Sequence, residues 1–306
     1  MHRYTMFMDG RLSYIDNAVV SYKYDGKEDI IETDNIVLAI GHSARDTFRM
    51  LKDTGVIMEA RGFGIGVRIE HPREHIDKMF YGAASHDIGS ASYHLVTHLP
   101  TGRSVYSFCM CPGGTVVAAT SCEGAVVTNG MSEYGRDGEN SNAAFLVSVT
   151  PGDFDTSDPL SGFLLQSKIE EMAYTVGGGG FTAPAIRMED FVSGNTPIRP
   201  RSVQPTYQRG VKPARAEEYL PEYITDSLRA AISDFEAYAP GFYYPDALMT
   251  GAETRSTSPV RILRGEDFSA MGISGLYPAG EGGGYAGGII SSAADGGRVA
   301  EAILRK

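Results

Sequence analysis

The sequence predicts an α/β fold in which a discontinuous α/β unit, residues 1–60 and 251–306, carries an inserted β-rich α+β unit, residues 61–250. Three observations lead to this prediction. A short apolar run, Ile36–Ile40, has the pattern of a buried strand. A strand, a glycine loop and a helix follow one another over residues 276–303. The sequence between these two segments consists of short stretches separated by Gly, Pro, Asn and Ser, which is typical of β-rich structure.

The N-terminal part of the discontinuous unit begins with strand-like alternation. Arg11–Tyr24 alternates apolar and polar residues, and Asp25-Gly26 supplies a turn before Asp29–Thr33, so we predict an antiparallel hairpin. The continuous apolar character of Ile36–Ile40 predicts a strand covered on both faces, inside a sheet. Ser43–Leu51 then has helical character, with its first residue, Ser43, as the expected N-cap.

The inserted unit contains two predicted strands and two predicted packing helices. Alternation predicts strands at Thr115–Thr120 and Gly124–Thr128. Helical periodicity covers Leu164–Tyr174 and Tyr223–Phe235, and Pro197–Pro213 is expected to be an extended loop. The residues predicted to face the core are Leu165, Ile169, Met172 and Ala173 on the first helix and Ile224, Leu228, Ala231 and Phe235 on the second.

Composition excludes several classes of partner. The 306-residue chain has a formal charge of -11, which argues against a sequence-independent grip on nucleic acid or on an anionic membrane. It has only three cysteines, clustered at Cys109, Cys111 and Cys122, and no apolar run of about 18 residues. We therefore expect a cytoplasmic protein that neither spans nor binds a membrane.

The segment from Leu276 to Ile303 carries the strongest functional signal. A short strand delivers Glu281 to a loop with five glycines, which let the backbone approach a ligand closely. The helix that follows, expected to begin near Gly287, directs its unpaired N–H groups towards the same ligand and favours negative charge there. Small residues at Ala293, Gly297 and Ala300 are expected to let this helix approach the sheet.

These residues resemble the closing motif of the two-dinucleotide-fold, glutathione-reductase-like flavoproteins, in which a Gly-(Asp/Glu) pair contacts the flavin; Gly280 and Glu281 match it. Thr33–Gly41 resembles a second element of the same flavoproteins. Further segments resemble, in particular, the bacterial FAD-dependent proteins labelled NAD(FAD)-utilising dehydrogenases. Those segments are His42–Thr47, Gly66–Pro72, Phe108–Gly114, Thr128–Ser132 and Glu253–Pro259.

The resemblance implies an FAD-binding Rossmann-like domain, of which residues 1–60 and 251–306 form the remnant, with residues 61–250 as an inserted substrate-side domain. It implies FAD as the cofactor. His42 follows a predicted parallel strand, where open α/β sheets place ligands, and Arg255 offers bidentate hydrogen bonds to carboxylate or phosphate. The cofactor-binding residues expected are Gly41, His42, Arg255, Gly280, Glu281, Gly284, Tyr285, Ala286, Gly287, Gly288 and Ile289.

The chain departs from the family at its front end. A complete member opens with a strand, Gly-x-Gly-x-x-Gly and a helix for the ADP half of FAD. Gly62–Gly66 leads into a strand-like stretch, and Gly177–Gly180 follows a helix, so neither has that context. We therefore expect a C-terminal portion that needs a missing N-terminal FAD-binding half as its partner, with weak or no FAD binding on its own. No glycine-rich βαβ unit supports an NAD(P) site.

Other candidates have simpler interpretations. His71 and His75 lack a third metal ligand, so a surface turn is preferred to a metal site, and no metal is expected. His94 and His98 are interpreted as ordinary residues. Cys109 and Cys111 are assigned a packing role in preference to a redox role.

The predicted function is that of an FAD-dependent oxidoreductase acting on a small molecule, with hydride transfer supplied by the flavin. No catalytic acid or base is assigned. Two alternatives stay open. One is a flavin-dependent RNA-modifying enzyme, although the acidic charge argues against it. The other is a truncated, non-catalytic module or subunit that a partner completes.

Overall fold

The computed structural model describes the backbone of residues 11–16, 19–24 and 27–305, and the side chains of residues 33–305 apart from His86. The strands are β1 (Arg11–Asp16), β2 (Val19–Tyr24), β3 (Lys27–Glu32), β4 (Ile36–Leu38), β5 (Met58–Ala60), β6 (Phe63–Pro72), β7 (Val96–His98), β8 (Ser104–Cys111), β9 (Gly114–Ala118), β10 (Thr128–Ser132), β11 (Asn140–Val149), β12 (Ala183–Arg187), β13 (Val211–Pro213), β14 (Leu248–Glu253), β15 (Val260–Ile262) and β16 (Leu276–Pro278). The helices are α1 (Arg45–Asp53), α2 (Arg73–Tyr81), α3 (Ser85–Ile88), α4 (Ser161–Gly177), α5 (Met188–Ser193), α6 (Glu222–Tyr238) and α7 (Ile289–Leu304).

The chain divides into two compact units. We call the first the discontinuous unit; it contains Met1–Gly62, Thr150–Phe163 and Thr257–Lys306. We call the second the sheet unit; it contains Phe63–Val149 and Leu164–Ser256. The protein is thus a mixed α/β protein whose larger unit has a mostly sheet core.

The sheet unit is built on a seven-stranded sheet with the order β13-β12-β14-β6-β11-β8-β7. All neighbouring pairs are antiparallel except β12 and β13, which are parallel. Strand β6 lies at the centre and is buried on both faces. Because side chains alternate along a strand, Val67 and Ile69 lie on one face while Arg68 and Glu70 lie on the other. One face of this buried sheet is therefore apolar and the other is charged.

Strands β9 and β10 form a separate antiparallel hairpin in the same unit. Strand β9 confirms the strand predicted at Thr115–Thr120, although its bounds are Gly114–Ala118. The strand predicted at Gly124–Thr128 is wrong, because β10 begins only at Thr128. The three residues Ala125, Val126 and Val127 are buried without being in a strand, so their apolar pattern reflects burial in a loop.

The two packing helices are present. On α6 the predicted core face is confirmed, since Ile224, Leu228, Ala231 and Phe235 are buried. On α4 the prediction of Met172 as a core residue is wrong, because 38% of its surface is exposed. The fully buried α4 positions instead include two polar residues, Gln166 and Glu170, whose side chains have hydrogen-bond partners in the sheet unit.

The discontinuous unit contains small sheets. Strands β1, β2 and β3 form an antiparallel sheet, so Arg11–Tyr24 is two strands where one was predicted. The predicted turn residues Asp25 and Gly26 lie outside the described residues. Strands β5 and β15 pair antiparallel, and β4 and β16 pair parallel. The hydrophobic core of the discontinuous unit includes Leu38, Phe48, Leu51, Val56, Leu160, Phe163, Val260, Ile262, Ala270 and Leu276.

Two expectations for this unit are wrong. Strand β4 is not enclosed on both faces, because Val37 is 50% exposed and β16 is its partner among the described strands. Ser43 is not the N-cap of α1: the cap position is Ala44, whose carbonyl accepts the N–H of Phe48, and no side chain caps the helix. The helix thus begins at Arg45, one residue later than a cap at Ser43 would place it, and both Arg45 and Phe48 are buried.

Candidate functional site

The parallel pairing of β4 and β16 places the two predicted ligand-binding loops side by side. Leu38 is opposite Pro278, and the N–H of Ala279 donates to the carbonyl oxygen of Leu38 at 3.0 Å. The chain segments that follow each strand therefore leave the same edge. His42 and Glu281 meet there, with 3.2 Å between Nδ1 and Oε1, and both side chains are partly exposed. The structure thus brings together the strand-end residues that were predicted from separate segments.

Some loop glycines serve the chain's own packing. A Cβ on Gly282 would meet the backbone of Gly41. Gly284 has φ +82°, which favours glycine, and a Cβ there would press against the backbone of Arg261. The expectation that all five glycines free the backbone for a ligand is therefore too broad. Gly287 and Gly288 fit it better, because a Cβ on either would meet no atom closer than 3.4 Å.

Helix α7 presents its N-terminus at the end of this loop. It begins at Ile289, two residues after the predicted start, with Gly288 at the cap position and no side-chain cap hydrogen bond. Its first N–H groups have no carbonyl partner within the helix, so they are available to an acceptor. Ile289 itself is 88% exposed. The loop and the helix end therefore form a wall made of backbone.

The face on which α7 packs was predicted wrongly. Ala293, Gly297 and Ala300 are exposed, so they do not bring the helix close to the sheet. The buried residues on α7 are Asp295 and Val299. Val299 packs with Tyr277 and Ala279, which extend from β16. The face of α7 that packs against the unit is thus determined by an apolar contact through Val299 and a charged contact through Asp295.

Asp295 holds the Gly280 loop in place, and sequence analysis missed it. Its Oδ2 accepts the N–H of Gly280 at 2.8 Å, and its two oxygens pair with Arg264 at 2.6 and 3.0 Å. Burial alone would raise the pKa of Asp295, but the hydrogen bonds from Arg264 and Gly280 outweigh it and lower the pKa. Arg264 also donates to the carbonyl of Pro278 at 2.8 Å. The clamp therefore joins the strand, the loop and the helix.

Tyr285 and Ala286 belong to the framework of the loop. The Arg264 guanidinium lies 3.6 Å from the centre of the Tyr285 ring, and the Tyr285 hydroxyl donates to the carbonyl of Ile262 at 3.1 Å. Ala286 is buried. Both residues belong to the predicted loop, but their side chains pack within the discontinuous unit.

Arg61 is a second residue that sequence analysis missed. It follows β5, and its N–H donates to the carbonyl of Pro259 at 2.8 Å. Burial and the neighbouring Arg261 lower its pKa, while Glu281 acts to raise it. Its buried Nη1 has no hydrogen-bond partner among the described residues. A cation in this position favours an additional anionic group nearby.

Arg255 belongs to the sheet unit, whereas the other predicted site residues belong to the discontinuous unit. Its Nε and Nη2 bind the two carboxylate oxygens of Glu170 at 3.1 and 2.9 Å, and Nη1 donates to Ser121 at 2.8 Å. Both members of the ion pair are buried. The guanidinium is thus occupied by the protein itself, which gives Arg255 a structural role in this unit.

The structure does not support the surface-turn interpretation of His71, which lies in β6 and is fully buried. Its Nε2 lies 2.9 Å from the carbonyl oxygen of Phe242, and the Nε2 of His75 lies 2.7 Å from that of Gly241. Each imidazole therefore has a backbone partner through its Nε2 atom. In the described part of the chain, no group of three His, Cys, Asp or Glu residues is placed to hold a metal ion.

His71 is expected to make stability depend on pH. Burial lowers its pKa from 6.5 to about 4, so the folded protein keeps it neutral while the unfolded chain takes up a proton below pH 6.5. Stability should fall as pH decreases from about 6.5 to about 4, by about 3 kcal/mol from this residue. Urea unfolding of wild type and H71N across this range measures the effect. H98N, which changes an exposed histidine, is the control; equal pH slopes for wild type and H71N would contradict it.

The remaining candidates are accounted for locally. Cys109, Cys111 and Cys122 form no disulfide bond with one another, and burial raises the pKa of the Cys111 thiol. His94 is exposed, and His98 lies 2.9 Å from the hydroxyl of Ser104 through Nδ1. The helices in the described residues are all too short or too polar to cross a membrane.

Comparison with known proteins identifies the family. A family model described as "FAD-dependent protein, C-terminal domain-like" matches residues 62–256. The chain belongs to this family, the C-terminal domains of FAD-dependent proteins, and is a flavoprotein-related module. The matched range contains the whole sheet unit, together with Gly62 and Thr150–Phe163 of the discontinuous unit.

A longer relative is known from Clostridium beijerinckii (strain ATCC 51743 / NCIMB 8052), where it carries the name "Uncharacterized protein". It is 43% identical over 299 residues, which cover 97% of this chain and 56% of the relative. The chain therefore spans little more than half the length of that relative.

Proposed function

We propose that the chain is the C-terminal portion of an FAD-dependent oxidoreductase of the two-dinucleotide-fold type, and that its Gly280–Ile289 loop forms the flavin-end wall of the FAD site. The observation that carries the proposal is the meeting of this loop with Gly41 and His42 at one edge of the β4–β16 pair. A strand end, a glycine loop and a helix N-terminus together suit a phosphate-bearing cofactor.

The residues present fit such a cofactor on two grounds. His42 Nε2 and Arg61 Nη1 are buried atoms with no hydrogen-bond partner among the described residues. The imidazole nitrogen can donate or accept a hydrogen bond according to its tautomer, and the guanidinium nitrogen can donate one. Gly287 and Gly288 leave space beside the open end of α7. In the proposal, the α7 N-terminus and Arg61 hold negative charge, and His42 and Glu281 orient the polar edge of the flavin. FAD supplies the hydride or electron transfer when it is bound.

We further propose that a segment outside this chain completes the site. Helix α7 exposes Ile289, Ile290 and Leu304 at 88%, 83% and 68%, and Val37 on β4 is 50% exposed. Parallel strands normally occur in sheets that are covered on both faces, whereas β4 and β16 pair with each other. The part of the Clostridium beijerinckii relative that this chain does not match offers the additional length.

The proposal is tested with G288V. Gly288 has an extended backbone, with φ -174° and ψ 177°. A Cβ atom added at this position would have only the Ser291 side chain within 4.0 Å. We therefore expect the fold to tolerate valine here. We expect valine to block the cofactor and weaken FAD binding at least about tenfold. FAD retention through gel filtration is measured for this chain mixed with the unmatched portion of the relative.

G297V is the matched control, because it places the same residue on an exposed position of the same helix with no atom within 4 Å. It should retain FAD as the wild type does. Equal FAD retention by G288V and wild type would place the cofactor elsewhere. Failure of the mixture to bind any flavin would reject the proposed completion of the site.

A further inference from the structure

The sheet unit carries a concentrated group of positive charges that the FAD wall does not use. No acidic residue lies between Asp190 and Glu217, although the chain as a whole has a formal charge of -11. This segment instead contains five cations, all of them exposed: Arg199, Arg201, Arg209, Lys212 and Arg215. We call these five residues the basic edge.

The basic edge lies at one end of the seven-stranded sheet. Strand β13 is an edge strand of this sheet, and β12 is its neighbour. Val203 and Val211 both pack in the apolar cluster that contains Ala185 of β12, and the N–H of Ala214 donates to the carbonyl of Ala185 at 3.0 Å. Along the chain, each of the four arginines is close to one of these contacts. The fold therefore gathers the arginines at this edge.

The acidic groups at the start of this segment are paired with a different arginine. Asp246 accepts the hydroxyl of Ser202 at 2.7 Å through Oδ2, but its Oδ1 binds Arg187 at 2.7 Å. Glu189 and Asp190 lie 3.3 and 2.9 Å from the same guanidinium. Arg187 is buried. These three carboxylates therefore neutralise an internal cation.

The groups at the end of the segment are engaged in the same way. Glu217 pairs with Arg229 at 2.6 Å, and Glu218 accepts the backbone N–H of Arg215 at 2.8 Å. Lys212 donates to the carbonyl of Val176 at 2.9 Å. Among the residues that the structure describes, none forms an ion pair with the four arginines of the basic edge. Their guanidinium groups are available to a partner.

Prolines restrict the backbone that carries these arginines. The segment contains Pro197, Pro200, Pro205 and Pro213, and Pro200 separates Arg199 from Arg201. A proline fixes its own φ angle near about -65° and biases the residue before it towards extended backbone. Less conformational freedom is therefore lost when a partner binds.

We infer that the basic edge is a docking surface for an acidic segment of another protein. Guanidinium groups form bidentate hydrogen bonds with carboxylates, so exposed arginines without an ion-pair partner suit a segment rich in Asp and Glu. A nucleic acid fits less well, because it would extend beyond the basic edge over a chain with a net charge of -11. The aromatic residue of this segment, Tyr207, is buried and does not offer a ring for base stacking.

The inference does not depend on the proposed FAD site, since the basic edge belongs entirely to the sheet unit. The test measures binding of fluorescein-labelled oligoglutamate to the whole chain by fluorescence anisotropy. We expect the wild type to bind this probe, and binding to weaken at least about tenfold between about 50 and about 500 mM salt, because salt screens exposed charges.

A quadruple variant of the basic edge, R199Q/R201Q/R209Q/R215Q, should weaken binding at least about tenfold. The matched control is R49Q/K78Q/R136Q/R305Q, which removes the same charge from exposed positions in four other segments. It should bind the probe as the wild type does. Because every substituted side chain is exposed, we expect the thermal midpoints of both variants to stay close to that of the wild type.

The two double variants R199Q/R201Q and R209Q/R215Q provide a second comparison that does not require the quadruple variant to fold. Each should weaken binding, and each by less than the quadruple variant. The inference is overturned if the wild type does not bind oligoglutamate at low salt, or if the basic-edge and control variants lose binding equally. Tighter binding of an oligouridylate of the same length would also overturn it, in favour of a nucleic acid.

Discussion

D295A is expected to lower the free energy of unfolding of the discontinuous unit by about 3–5 kcal/mol, the usual cost of removing one member of a buried ion pair. The substitution leaves Arg264, whose side chain is 8% exposed, without its carboxylate partner. It also leaves the N–H of Gly280 without its acceptor. Urea unfolding followed by circular dichroism measures the loss.

The pH dependence of this effect has a defined sign. The hydrogen bonds that lower the pKa of Asp295 favour its ionised form in the folded protein. Their contribution is therefore present at neutral pH and is lost as pH falls through the folded-state pKa. E301A is the matched control, because Glu301 is on the same helix and its side chain is 68% exposed. Equal losses for D295A and E301A would show that the clamp does not stabilise the loop.

E170A is expected to destabilise the sheet unit by a similar amount, about 3–5 kcal/mol. Glu170 is fully buried and binds Arg255 through both carboxylate oxygens. Its Oε1 also accepts a hydrogen bond from the Thr254 hydroxyl at 2.7 Å. Alanine would leave a buried guanidinium and a buried hydroxyl without these partners. Glu171, the exposed neighbour on α4, provides the control E171A.

The outcome also bears on the role of Arg255. If Arg255 serves the ion pair, R255A should destabilise the protein, and the double variant E170A/R255A should cost less than the sum of the single variants. Additive losses would mean that the two side chains do not depend on each other. That result would favour the cofactor role that the sequence context of Arg255 predicts.

Much of the loop architecture could be predicted from the residues themselves. The strand, the glycine loop and the helix over residues 276–303 are present in that order, since turn and helix formation depend on neighbouring residues. The core face of α6 was predicted correctly for the same reason. Helical periodicity shows which residues share a face, but it does not show what covers that face.

The errors arose where a side chain's surroundings come from distant segments. Small residues on α7 suggested the wrong packing face, because Asp295 finds Arg264, 31 residues away in sequence, and so sets the rotation of the helix. Val37 was predicted to be covered, but the number of strands beside it is a property of the assembled sheet. Met172 was predicted to be buried because it is apolar, but it is partly exposed, whereas the charged Glu170 on the same helix is buried. Glu170 can be buried because Arg255 pairs with its carboxylate.

The sequence by itself determined the family resemblance, the local strand-loop-helix order and the acidic character of the chain, because each depends on residue types and short spacings. Only the tertiary structure decided which polar groups are paired. The register of β6, β11 and β14 brings Arg68, Asn142 and Thr250 together, although 108 residues separate the last two along the chain. Register depends on long-range backbone pairing, so no local pattern reveals that these buried side chains lie on one face of the sheet.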